Sequence, residues 1–209
     1  MTNPSSIVRI HSRKAGRASV LEANMPFQIY GNGLLTGTGV VPNTGLTVTV
    51  GGSASTPDIA IAETPSGYKV ALDIIGTANI TLTAPSSNSK IVSIVAYTND
   101  LSADSTEPSA TGSPASCGLI KVDGTAAANP SAPNDSKIRT AITSDGGTGS
   151  QAAYAVLAEI TIASGTTTIT SSLINPKDAF FIKLVPESEL SDYEGQALPA
   201  HHFIFGYKE

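Results

Sequence analysis

The chain has 209 residues, of which 14% are charged and 40% apolar, and its formal net charge is −5. That length supports a domain with a sizeable core and no metal or disulfide staple, and the acidic balance argues against a dedicated nucleic-acid binder, which needs a basic face. Cys117 stands alone and forms no intramolecular disulfide, no apolar run is long enough for a transmembrane helix, and the first residues lack the pattern of a secretory signal.

Residues 1–30 differ in character from the rest of the chain. Arg9, Arg13, Lys14 and Arg17 are four of the chain's 12 basic residues, with Glu22 as the local counter-charge. Val8 and Ile10 alternate with Arg9 and His11, which predicts a short strand with one buried face. A helical turn or two is expected over residues 18–24, stopped by Pro26. Apolar residues flank the basic cluster on both sides and need burial. The segment therefore reads as an N-terminal arm that docks on a neighbouring subunit.

From residue 31 the pattern is β. Gly31-Asn32-Gly33 and Gly37-Thr38-Gly39 are turn signals. Leu46-Thr47-Val48-Thr49-Val50 alternates cleanly, and further strands are expected over residues 59–63, 68–75, 79–83, 91–98 and 119–123. Short strands at regular spacing, separated by Gly, Pro and Asn, indicate an antiparallel sandwich or barrel. Residues 99–116 are polar, contain Pro108 and Pro114, and read as a long exposed loop. A helix is predicted near 135–143, capped by Asp135 or Ser136, with Ile138, Ala141 and Ile142 on one face. The run 153–170 reads as a β-hairpin, with an apolar strand, a tight turn at Gly165 and a Thr-rich second strand.

Residues 179–209 form a C-terminal arm. Phe180, Phe181, Ile182, Leu184 and Val185 make an apolar stretch, a capped helical turn is expected over 188–193, and Phe203-Ile204-Phe205-Gly206-Tyr207 alternates as a strand. An aromatic-rich tail beyond a closed domain buries itself against another chain or back across its own domain. The fold class is thus mainly β: an antiparallel β-sandwich over 31–178 with one short helix, plus an arm at each end. Arg9, Arg13, Lys14, Arg17, Phe203, Phe205 and Tyr207 are the candidate assembly residues.

Three pieces of the chain carry a resemblance. The first is the opening from Gly39 through Val48-Thr49-Val50-Gly51-Gly52-Ser53-Ala54, which is similar to a Gly-x-x-Val … Val-x-Val-x-x-Gly-x-Ala family opening. The second is Asn88-Ser89-Lys90-Ile91-Val92-Ser93-Ile94-Val95, in which Lys90 and Ser93 depart from the Asp and Arg common at this place in the family. The third runs from Lys121 to Ile174 and includes Gly124, Pro130, Pro133, the Asp135-Ser136-Lys137-Ile138 helix start and the expected hairpin over 153–170 with its turn at Gly165. In this order they resemble a β-module of tailed-bacteriophage tail-fibre, baseplate and tail-tip proteins. The resemblance implies a virion structural protein, assembled in the host cytoplasm and working beside other virion structural proteins. With both arms taken as docking devices, a three-fold or six-fold homo-oligomer is expected, without nucleic-acid binding or membrane insertion. A capsid or collar decoration protein and a host-surface glycan-binding module are the alternatives.

Catalytic signatures are missing from the sequence. His201 and His202 are adjacent, so on a strand they lie on opposite faces and do not share a metal. No Ser sits in a Gly-x-Ser-x-Gly elbow, and Gly146-Gly147-Thr148-Gly149 lacks the Lys and the strand–loop–helix order of a phosphate loop. Asp100, Asp104 and Glu107 lack the alternating, Gly-anchored oxygens of a calcium loop. The chain has no Trp and few aromatics in its β-region, which counts against glycosidase and lectin readings. No catalytic, cofactor-binding or metal-ligating residue is assigned, and the expectation is a protein that is not an enzyme.

Overall fold

Alternating and β-branched stretches become strands, and the faces they bury decide how the strands stack. In the computed structural model, residues 9–12, 30–52, 56–99, 117–179, 181–186 and 202–207 are described. Arg13, Lys14, Arg17, the polar loop 100–116 and the turns expected over 18–24 and 188–193 lie outside these residues.

The first strands are β1 (Arg9–Ser12), β2 (Gly33–Thr36), β3 (Val40–Pro42), β4 (Thr47–Val50) and β5 (Asp58–Glu63). They are followed by β6 (Lys69–Ile75), β7 (Ala78–Thr81), β8 (Ser89–Thr98) and β9 (Cys117–Asp123). Helix α1 (Asp135–Ser144) precedes β10 (Ala153–Ala163), β11 (Ile174–Pro176), β12 (Phe181–Pro186) and β13 (His202–Tyr207). A large sheet runs in the order β1-β6-β5-β10-β8-β9, with β2 added on β5 and β11 on β10; β3-β4-β7 form a second sheet. Pairing within both sheets is antiparallel. The fold is the expected mainly-β sandwich with one helix.

Of the segment read as an N-terminal arm, residues 9–12 form β1, with Arg9 opposite Ile75 and His11 opposite Asp73 on β6. At the other end β12 and β13 pair in parallel and with no other described strand, Phe203 opposite Ile182 and Phe205 opposite Leu184.

The sandwich core lies between the two sheets. Val48 and Val50 from the small sheet meet Val70, Leu72, Ile74, Val92 and Ile94 from the large one, all fully buried. Ala60, Ala62, Ala96, Ala153 and Ala155 line the same inward face. Their small side chains leave room for the large sheet to curl, and β1 accordingly approaches β8 and β9. On the outer face of β8 and β9 a second core forms, where Val95, Tyr97, Ile120 and Val122 receive Ile138 and Ile142 of α1. Strand β8 is therefore covered on both sides. That is why it reads as a nearly continuous apolar run rather than an alternation.

Strand β10 changes phase halfway. Ala153, Ala155 and Leu157 face the sandwich core, and beyond the bulge so do Ile160 and Ile162. The pairing with β8 shifts between Val156 and Ala158, so one extra residue restores the apolar face to the inside.

Two expectations are corrected. The helix cap is Asn134, whose side chain accepts from the Lys137 N–H at 3.0 Å, not Asp135 or Ser136. Residues 166–170 form no strand. The chain does turn at Gly165, with φ at +80°, but Ile169 is buried in the sandwich core and its N–H donates to the Gly45 carbonyl at 2.9 Å. Burial of one Ile overrides the strand preference of the Thr run and carries the segment toward the small sheet. The strand that returns beside β10 is β11, opposite Ala158 to Ile160.

Asp58 joins the two sheets. It is 1% exposed, and its carboxylate accepts from the Thr38 N–H at 2.9 Å and the Gly39 N–H at 2.7 Å. Gly37 has φ at +120°, and a Cβ there would lie 2.0 Å from Asp58 Oδ1. Replacing Asp58 by Ala strands backbone donors and should cost about 2–5 kcal/mol in urea denaturation. Gly37→Ala should be destabilising too, and the double variant should lose less than the sum, because both changes break the same contact.

Candidate functional site

The N-terminal half of α1 sits over the junction of β5 and β10, and the side chains that meet there are polar. Asn134 ends the extended segment and starts the helix, which places Asp135 in the first turn, where the helix dipole favours a carboxylate. Arg139 follows one turn later and donates from Nε to Asp135 Oδ1 and Oδ2 at 2.9 and 3.0 Å. Its Nη1 donates to the carbonyls of Gly149 and Ala152 at 2.8 and 3.2 Å, so one guanidinium ties the helix to the loop that leads into β10.

Tyr154 on β10 completes the group. Its hydroxyl donates to Asp135 Oδ1 at 2.8 Å, and the Arg139 guanidinium lies 5.1 Å from its ring centroid, a cation–π distance. Asn32 Nδ2 donates to the Tyr154 carbonyl at 2.7 Å. Glu63 lies opposite Tyr154 across the strands and forms an ion pair with Lys69 on β6. With Thr64 and Pro65, the residues Asn32, Glu63, Asp135, Arg139 and Tyr154 line a cavity of about 390 Å³.

Electrostatics fix the protonation of this group. Burial, reinforced by the bond to Asp135, pushes the Tyr154 phenol up to about 12. For Asp135 burial pulls upward, but the hydrogen bonds from Tyr154 and Arg139 and the Arg139 charge outweigh it and hold the carboxyl below its usual range. The phenol stays protonated and the carboxylate stays charged across the neutral range. The Tyr154 phenol is thus a fixed hydrogen-bond donor to a charged acceptor.

A second cavity, of about 430 Å³, lies between β9 and the other flank of α1, lined by Ile120, Val122 and Ala141 with Lys137 and Asp145 among the polar residues. Beside it Tyr97 is fully buried, and its hydroxyl donates to Asp145 Oδ2 at 3.0 Å. A Cβ at Gly118 would lie 2.6 Å from the Tyr97 ring, so that position admits only glycine without a shift. Burial raises Asp145 above its ordinary value despite the Tyr97 bond, and burial together with the Asp145 charge raises Tyr97 far above its own.

The described residues that line the two cavities include none of those expected to act in assembly. Arg9 lies on β1, and Phe203, Phe205 and Tyr207 take alternate positions of β13. His202 begins β13, while His201, Asp100, Asp104 and Glu107 lie outside the described residues. The Gly-rich run 146–149 follows the C-terminus of α1, not its N-terminus, and so holds the wrong end of a helix for phosphate. Among the described residues no three His, Cys, Asp or Glu groups lie together as metal ligands, and no helix is long and apolar enough to cross a membrane. The polar cavity itself went unread in the sequence. Its one local signal was the Asp135–Arg139 spacing of four residues on a helix. The chain matches no protein-family model, no curated protein and no solved structure.

Both tyrosines hold their protons more tightly in the folded chain than in the unfolded one. Such groups contribute stability that is complete below the unfolded phenol value of about 10 and is lost as pH rises through the folded value. Urea denaturation at increasing pH should therefore show stability falling from about pH 10 towards about 12, with a shallower fall in Tyr154→Phe. Asp145, also raised, contributes its stability at low pH and loses it as pH climbs through its folded value. Asp145→Asn, which keeps an acceptor for Tyr97, should raise the unfolding midpoint at neutral pH.

Proposed function

We propose that the protein is a non-enzymatic structural subunit of a tailed-phage virion, in the tail tip, baseplate or tail fibre, which docks through its terminal segments in a symmetric assembly. What carries the reading is the C-terminal pair β12–β13. Among the described residues, two parallel strands form a sheet of their own on the stretch that holds four of the chain's five Phe residues. A two-stranded sheet is marginal in water, and parallel strands are normally covered on both faces. Such a pair needs a partner surface, and a neighbouring subunit supplies one.

The order of the three phage-like sequence pieces supports a phage structural role, and the lack of a catalytic signature in the sequence supports a role without catalysis. Partners are then other virion structural proteins and copies of the same chain in three-fold or six-fold symmetry, without nucleic acid or membrane insertion. The protein assembles in the host cytoplasm and resides in the virion. Labelling the subunit in intact particles separates a tail position from a capsid or collar decoration.

Truncation tests the docking role. The cut belongs after Ala179, because the Leu34 N–H donates to the Lys177 carbonyl at 2.6 Å and the Ala179 N–H to the Leu34 carbonyl at 2.7 Å. The full chain should sediment as a three-fold or six-fold oligomer, and the chain ending at Ala179 as a monomer that keeps a mainly-β circular dichroism spectrum and a cooperative unfolding transition. A full chain that remains monomeric at high concentration would sink the proposal.

A further inference from the structure

The polar cavity between α1, β5 and β10 has a use beyond docking. We propose that it binds a neutral, polyhydroxylated ligand: the diol face of one sugar unit in a glycan. Its volume of about 390 Å³ lies in the range of small-molecule sites. What its lining offers decides the class of ligand.

Several groups there keep unused hydrogen-bonding capacity. Asn32 donates through Nδ2 to the Tyr154 carbonyl, and its Oδ1 makes no bond among the described residues. Glu63 meets Lys69 through Oε2, and its Oε1 makes no hydrogen bond among the described residues. Arg139 uses Nε and Nη1, which leaves Nη2. Tyr154 Oη donates to Asp135 and can still accept. Acceptors therefore outnumber donors: Glu63, Arg139 and Tyr154 stand on β5, α1 and β10, and Asn32, in the bend just before β2, is held by its bond to the Tyr154 carbonyl. Vicinal hydroxyls, each a donor and an acceptor, match such a set.

Other ligand classes fit less well. An anion such as phosphate would meet Glu63 and Asp135, while the guanidinium of Arg139 is already paired with Asp135. A bare cation would find only two carboxylates, each neutralised by a bound basic group. An apolar ligand would leave the free oxygens unpaired. The Arg139 guanidinium covers one face of the Tyr154 ring, so the site recognises its ligand by hydrogen bonds more than by stacking, and single-site affinity should be weak, roughly millimolar. This inference stands apart from the assembly reading, since one chain supplies every group.

Amide chemical-shift mapping by NMR tests it on the full chain and on the chain ending at Ala179. The probes are glucose, galactose, mannose, rhamnose, N-acetylglucosamine and glucuronate, followed by polysaccharides built from whichever monosaccharides bind. Expected are saturable shifts centred on Asn32, Glu63, Arg139 and Tyr154 for at least one neutral sugar, with glucuronate weaker. Glu63→Gln and Tyr154→Phe should each weaken that binding about tenfold, while Lys137→Ala, on the opposite flank of the helix, should leave it unchanged. Unchanged amide dispersion shows that each variant is folded. If no neutral sugar gives saturable shifts, if the shifts map elsewhere, or if glucuronate binds most tightly, the proposal falls. Binding of monosaccharides alone assigns the site to a free sugar, and tighter binding of the polymer assigns it to a chain-borne residue; either outcome supports the site.

Discussion

A single buried carboxylate holds the sandwich shut. The chain crosses from the large sheet to the small one between β2 and β3, and returns between β4 and β5. Asp58, at the first position of β5, accepts from the backbone of the outgoing connection at Thr38 and Gly39. Gly52, in the returning connection, packs so closely that a Cβ there would lie 2.7 Å from Asp58 Oδ1. Both crossings therefore converge on one side chain. A charge that is 1% exposed is tolerated only because backbone N–H groups replace the water it has lost. Apolar burial drives the two sheets together without fixing where they meet, and Asp58 fixes it.

The helix is held by the same device at both of its ends. Tyr154 reaches Asp135 in its first turn, and Tyr97 reaches Asp145 just beyond its last. The two carboxylates have identical chemistry and opposite surroundings. Asp135 sits where helix N–H groups and Arg139 favour negative charge, and it is lowered. Asp145 is raised by burial and also faces the carbonyl end of the helix, which disfavours negative charge. Ile138 and Ile142 set the depth of the helix on the sheet, and the tyrosines set its position along the strands.

Much of this was legible one segment at a time. Val48 and Val50, or Val70 and Leu72, carry enough alternation or β-branching to mark strands. Ile138 and Ile142 mark the buried side of α1 by their spacing of four. Each such signal lies within about ten residues, the reach of a periodicity argument. The Thr run at 166–168 failed for the converse reason. Its local preference is for strand, but the fate of that segment is decided by the burial of Ile169 in the sandwich core, whose other members are mostly distant in sequence. The bulge at Leu157 was unreadable as such, since two half-strands in opposite phase look like weak alternation until the β8 partner is known.

The polar cavity escaped for a stronger form of the same reason. Asn32 and Tyr154 are 122 positions apart, and no single-segment pattern joins them. Tyr154 and Arg139 help to hold the helix, but stability accounts less well for the two ion pairs beside them. The side chains of Asp135 and Glu63 are 63% and 39% exposed, and ion pairs that open to water contribute between nothing and about 1 kcal/mol. Asp58 and Tyr97, by contrast, are fully buried, and each has a packing reason to be polar where it is. A group of partly exposed, partly unsatisfied polar side chains, held rigid by a helix and two strands around an open cavity, has its explanation in what enters from solvent.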